Sequence, residues 1–217
     1  MQGRRGRRRH GAASGAAIVL LAAVLAGCAG QVSSRPERWF AAHGGTAPSA
    51  DRVYVCHAFG CARRTPVDIG PADWRRISAM LRAGRGSPAA ERKAIAEAVA
   101  WLERRVAPTV GSAGDVGGLD LANSGTPGQL DCIDEATNTT SYLMVMEKRG
   151  LLVHHRVAAP VARGFFLDGR YPHATAVIVE KTSGETFAVD SWTHANGVLP
   201  DVMPLDRWFA TWPAYLN

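Results

Sequence analysis

The chain has 217 residues, 47% of them apolar, which is enough for one domain with a buried core. Its formal charge is +6, but Arg4, Arg5, Arg7, Arg8 and Arg9 carry most of the excess. Without those five, 20 basic residues face 19 acidic ones, so the charge gives no ground for a nucleic-acid partner.

The arginine-rich start leads into the apolar run Ala16-Ala17-Ile18-Val19-Leu20-Leu21-Ala22-Ala23-Val24-Leu25. This is the pattern of an export signal over residues 1–27, and it is short for a membrane span. It ends in Leu25-Ala26-Gly27-Cys28, which resembles the lipobox of bacterial lipoproteins. The resemblance implies cleavage before Cys28 and acylation of its thiol and new amino group. With Ala29 following rather than an aspartate, it also implies sorting to the outer membrane, facing the periplasm. An ordinary signal peptide with a chance cysteine is the alternative. Residues 28–50 are rich in Ala, Gly, Ser and Pro and read as a flexible tether. The domain is expected over 51–217.

Arg52-Val53-Tyr54-Val55 reads as a short strand, followed by Val55-Cys56-His57-Ala58-Phe59-Gly60-Cys61. In an oxidising compartment Cys56 and Cys61 make a local disulfide. A metal site with His57 is the sharper alternative, without an evident fourth ligand. Two helices are predicted next. One spans 71–81, with Trp74, Ile77 and Leu81 at helical spacing; the other spans 87–106, with Ile95, Val99 and Leu102 on one stripe. Residues 108–129 are dominated by glycine and small residues. A loop that long inside a domain is functional or mobile, and this one leads straight into Cys132.

Asp131 is the predicted N-cap of a helix over 132–148, stopped by Gly150. Ile133, Ala136, Thr140, Leu143 and Met144 trace its inner face. A strand is read over 151–157, a polar turn at Leu167-Asp168-Gly169-Arg170, and then two strands over 173–179 and 186–192. The last two form an antiparallel hairpin. Residues 204–209 make a helical turn. Helices followed by strands give the α+β class.

Cys132 is the cysteine left over once Cys28, Cys56 and Cys61 are assigned. It is either buried and inert or a reactive thiol. At a helix N-terminus the dipole and free N–H groups favour the thiolate, while Asp131 and Asp134 oppose it. His173 and Asp190 fall on successive strands. If Asp190 lies opposite Thr175, it is diagonal to His173 at roughly 7–8 Å between backbones. If Ser183-Gly184 is the whole turn, Asp190 lies opposite Val177, about 13 Å along the sheet. The order loop–Cys–helix, strand, His–strand, Asp–strand fits a Cys-His-Asp thiol enzyme. His57, His154, His155 and His194 compete as the base.

Asp131-Cys132-Ile133-Asp134-Glu135-Ala136, with His173 opening one strand and Asp190 ending the next, resembles the bacterial transglutaminase-like cysteine peptidases. The nearest branch is the periplasmic one that cleaves surface adhesins. The likeness covers about 71–192. The branch motif reads closer to Gly-Asp-Cys-Glu-Asp-Tyr; here Leu130 replaces the glycine and Ile133 the first acid. The resemblance implies a papain-like fold, with the cysteine at a helix N-terminus packed on a small antiparallel sheet. It implies a Cys132–His173–Asp190 triad that forms a thioester acyl-enzyme. The oxyanion would be held by the Cys132 N–H, with Gln129 as a second donor. It also implies a calcium site at Asp131, Asp134 and Glu135, although no cofactor is required for the chemistry. The expected partner is a protein or peptide substrate in the cell envelope. Two other outcomes stay open: transglutaminase-type acyl transfer, and a catalytically silent protein-binding lipoprotein on the same fold.

Overall fold

A computed structural model describes residues 32–164 and 172–211. The expected signal segment, the lipidation cysteine Cys28 and the turn at Leu167-Asp168-Gly169-Arg170 lie outside the described residues. The compact unit begins at Val32, ahead of the boundary expected at residue 51. Helix α1 (Glu37–Ala42) lies inside the stretch read as tether. Trp39 and Phe40 are both buried, and the Trp39 indole N–H donates to Thr137 Oγ1 at 2.9 Å.

Strands β1 (Arg52–His57) and β2 (Arg63–Asp68) form a two-stranded antiparallel sheet. Helices α2 (Pro71–Ala83) and α3 (Pro88–Val110) pack together, and Ser87 caps the second by accepting from Ala90 N–H at 3.1 Å. The second helix runs through Pro108, beyond the expected end at 106, and stops at Gly111 in the left-handed region. Helix α4 (Cys132–Lys148) starts at the predicted Asp131 cap.

A four-stranded antiparallel sheet follows in the order β3 (His155–Arg163), β4 (His173–Glu180), β5 (Thr186–Asp190), β6 (Asp201–Pro204). Helix α5 (Leu205–Ala210) closes the described chain. The protein is therefore α+β, with two antiparallel sheets. No helix among the described residues is long and apolar enough to cross a membrane.

Strand β3 begins four residues later than the sequence suggests. The buried carboxylate of Glu91 takes the N–H groups of Val153, His154 and His155, so those donors do not enter a ladder there. The strand then tolerates Pro160 because it is an edge strand with a register shift between Ala158 and Val161.

Alternation along β4 sorts the core. Ala176 and Ile178 join α3, α4 and β1 in the main cluster, while Val177 and Val179 pack with Leu205 and Trp208.

Candidate active site

The hairpin β4–β5 pairs Ala176 with Val189 and Val179 with Thr186. Extended one place, that register puts Asp190 opposite Thr175, the first of the two arrangements open to the sequence. The turn is residues 181–184, closed by Gly184 N–H donating to Glu180 O at 2.9 Å, rather than Ser183-Gly184 alone. His173 and Asp190 thus share one face, diagonal to each other. Their side chains close the gap: His173 Nε2 lies 2.6 Å from Asp190 Oδ2. The same oxygen accepts Trp208 Nε1–H at 2.7 Å. A carboxylate only accepts, so Nε2 carries the proton and the lone pair of the neutral ring sits on Nδ1. Nδ1 has no hydrogen-bond partner among the described residues.

Cys132 is the first residue of α4 and 7% exposed. It packs with Ala136, Ala174 and Trp192. Its Sγ lies 3.7 Å from the Pro172 carbonyl oxygen, and the Ala174 N–H also bonds to it. The sulfur is therefore seated against the backbone on both sides of His173. The imidazole is held between Trp192, with ring centroids 4.6 Å apart, and Trp208, at 5.3 Å. The three residues named from sequence come together, but in the resting structure the thiol points at a carbonyl and not at Nδ1.

Burial pushes the Cys132 thiol up to about 12, and the Asp131 charge adds to the rise against the pull of the Ala174 N–H. The helix terminus does not win here: desolvation of the thiolate outweighs the dipole. The Cys132 thiol is therefore held in its neutral form.

Asp131 and Asp134 have a structural task. Ala58, Phe59, Gly60 and Cys61 run consecutively through the left-handed region, bridged by the Cys56–Cys61 disulfide. Such a run is costly for residues with a Cβ. It presents successive N–H groups to the start of α4. Phe59 and Cys61 donate to the two oxygens of Asp134 at 2.8 and 2.6 Å, and Gly60 donates to Asp131 at 3.0 Å. One turn on, Asn138 takes the Cys56 N–H at 2.7 Å and returns a bond to its carbonyl.

Of the three acids expected to hold calcium, Asp131 and Asp134 accept these loop N–H groups, and Glu135 is buried, with the Glu103, Asp115 and Asp134 charges acting on it. Among the described residues, one close group of metal-type donors exists, Cys56, Cys61 and Asp134 within 4.8 Å, and its two sulfurs are bonded to each other. His57 is likewise occupied: Nδ1 accepts Gly128 N–H at 3.1 Å, so Nε2 donates to Thr65 Oγ1 at 2.9 Å. Burial and Arg63 lower its pKa.

The other competing histidines have other partners. His155 is buried against Glu91 at 2.7 Å, and pairs with Glu180 at the end of β4 opposite His173. His154 bonds the Arg85 carbonyl, and His194 bonds Asp201. Gln129 is half-buried three residues before Cys132, with its main chain tied to Ala58 and Thr126.

Two loops frame the thiol. The glycine-rich loop 111–131 meets the loop after β5 through Gly118 N–H to Trp192 O at 2.7 Å. Gly117 lies against the His194 backbone so closely that a Cβ would not fit, and Gly128 lies against Gly111 in the same way. Glu103 binds Gly197 N–H at 2.8 Å and the Ser191 hydroxyl; Asp115 binds Leu130 N–H at 2.7 Å. Burial raises both carboxyls to about 7 and holds Glu135 well above the carboxylate range. Glu135 was expected from sequence only as a calcium ligand; Glu103, Asp115, Trp192 and Trp208 were not singled out for the site. Trp192, two residues past Asp190, was the nearest available signal. Comparison with protein-family models, curated proteins and solved structures found no match.

Proposed function

We infer that this chain is a thiol hydrolase of transglutaminase-like type, on a papain-like core, cleaving peptide or carboxamide bonds in the cell envelope. The observation that supports it most is the seating of Cys132 Sγ between Pro172 O and Ala174 N, beside a histidine whose Nε2 is fixed by Asp190 and whose Nδ1 is open. On this reading, substrate turns the thiol from Pro172 toward Nδ1. Sulfur attacks the carbonyl carbon as its proton passes to His173. The Cys132 N–H, which has no intrahelical acceptor, receives the oxyanion. The carbon–nitrogen bond breaks, and the amine leaves with the proton from His173. Water, deprotonated by the same imidazole, opens the thioester. No step needs calcium. The lipid anchor at Cys28 belongs to this reading and would hold the enzyme at the membrane.

Val116, Leu119 and Leu121 on one framing loop, and Val198 and Leu199 on the other, are exposed. They support an extended, partly apolar polypeptide as substrate. The test is to incubate the full chain and its Cys132→Ala variant with envelope protein. New N-termini identify a protease, Gln-to-Glu conversion an amidase, and isopeptide links an acyl transferase. The absence of all three with the intact chain returns the reading to a silent binding module, which the neutral, buried thiol favours.

A further inference from the structure

Away from the thiol, α2 and the end of α4 enclose an open pocket of about 740 Å³ lined by Ile69, Trp74, Arg75, Ser78, Arg82 and Arg149, with Asp51 at one side. Its walls follow from local chemistry. The Trp74 indole donates to Asp51 Oδ1 at 2.8 Å. Arg149, just past α4, stacks over the same indole at 4.0 Å and forms an ion pair with Asp51. Trp74 and Ile69 are buried and give an apolar floor.

The charge balance is uneven. Three acids lie on the segments around the pocket, and each is taken by its own arginine: Asp51 by Arg149, Asp68 by Arg52 and Asp73 by Arg105. Arg75 and Arg82 are exposed and make no hydrogen bond or ion pair among the described residues. They sit at i and i+7 of α2 with Ser78 between, on one helix face. Both side chains line the pocket together with Ser78. Two surplus guanidiniums beside a hydroxyl suit a doubly charged tetrahedral oxyanion better than a single carboxylate.

We propose that the pocket of Arg75, Ser78, Arg82 and Arg149 is a binding site for a phosphate group, free or carried on an amphiphile whose body lies on Trp74 and Ile69. The site is independent of Cys132 and of the hydrolase reading.

The test uses the full chain, inorganic phosphate by titration calorimetry, and vesicles of phosphatidic acid with phosphatidylcholine against phosphatidylcholine alone. The vesicle arm is run on Cys28→Ser, so that an acyl chain at that position does not itself anchor the protein. Arg75→Ala/Arg82→Ala is compared with Arg76→Ala/Arg85→Ala, which removes equal charge beside the pocket. All four residues are exposed, and matching thermal melts check the fold. The expected result is binding weakened at least ten-fold by the first pair and less than two-fold by the second. Binding of inorganic phosphate without vesicle binding assigns a soluble ligand; binding of the anionic vesicles alone assigns a lipid headgroup. Equal weakening by both pairs, or no binding of either probe, overturns the proposal.

Discussion

His173 and Trp208 donate to one and the same oxygen, Oδ2 of Asp190, at 2.6 and 2.7 Å. The carboxylate is therefore held from two sides, and Arg163 covers the outer face of the Trp208 ring at 4.1 Å. Trp208→Phe keeps a ring against His173, deletes the N–H and shrinks a fully buried side chain. A hydrogen bond to a charged acceptor contributes about 1.5–3 kcal/mol. The variant is expected to lose at least that much stability by urea unfolding, since the smaller ring also leaves a cavity. Turnover should slow about ten-fold, in kcat and not KM, because Asp190 and with it the imidazole gain freedom.

Cys132 reactivity has a defined pH dependence. Its thiol is pushed up to about 12 by burial, so the thiolate fraction at neutral pH is minute. Alkylation of the resting chain by iodoacetamide should be slow at pH 7 and still rising above pH 9. His173→Ala should change this profile little, since the thiol points at Pro172 O. A fast, flat rate below pH 7 that disappears in His173→Ala would show instead that a thiolate–imidazolium pair already exists at rest.

The buried acids reverse the usual dependence of stability on pH. Glu103 and Asp115 both titrate at about 7 in the folded chain, above their ordinary values near 4. Between about pH 4 and 7 the unfolded chain releases these protons while the folded chain keeps them. Stability from these groups is full below pH 4 and falls as pH rises through 7. Exposed Asp51 and Asp68, lowered by Arg149 and Arg52, act in the opposite sense only at lower pH. The melting temperature is expected to fall from pH 5 to 8. Glu103→Gln should flatten that slope by up to about 1.4 kcal/mol per pH unit, measured by calorimetry at fixed ionic strength.

Elements whose cause is local were readable from sequence. Asp131 caps α4, Ser87 caps α3, and the polar turn before Thr186 makes a hairpin, because each signal lies within a few residues of its effect. The hairpin register was readable only as two options, since a four-residue and a two-residue turn differ by a two-residue shift that keeps the same side chains on each face. Helix α1 was missed because six residues carry little periodic signal; its Trp39 and Phe40 are defined by α4 and β1, which lie far along the chain. Trp208 was read only as part of a helical turn, since nothing within α5 announces an acceptor on β5. The same holds for Glu103, whose partners are 88 and 94 residues away in the loop after β5. Phe40→Ala tests the tether reading directly. A residue in a flexible tether would cost nothing, whereas this buried ring should cost about 3–5 kcal/mol in urea unfolding.

The acids beside Cys132 bear on the stability of the disulfide loop. Asp134 is buried at the start of the thiol-bearing helix, and burial together with the Asp131 charge raises its carboxyl to about 8 against the pull of the Cys61, Asp131 and Phe59 N–H groups. Its oxygens satisfy Phe59 and Cys61 in a left-handed run that would otherwise lack acceptors. Asp134→Asn retains the shape but turns an NH₂ toward a backbone N–H. One buried donor is left unsatisfied, at about 1–3 kcal/mol. The variant should therefore unfold at lower urea. If the acids served only to tune the thiol, Asp134→Asn would leave stability unchanged and speed alkylation. If they clamp the disulfide loop, stability falls, and Cys56→Ala/Cys61→Ala adds less than its own cost to the double variant, because both changes release the same loop.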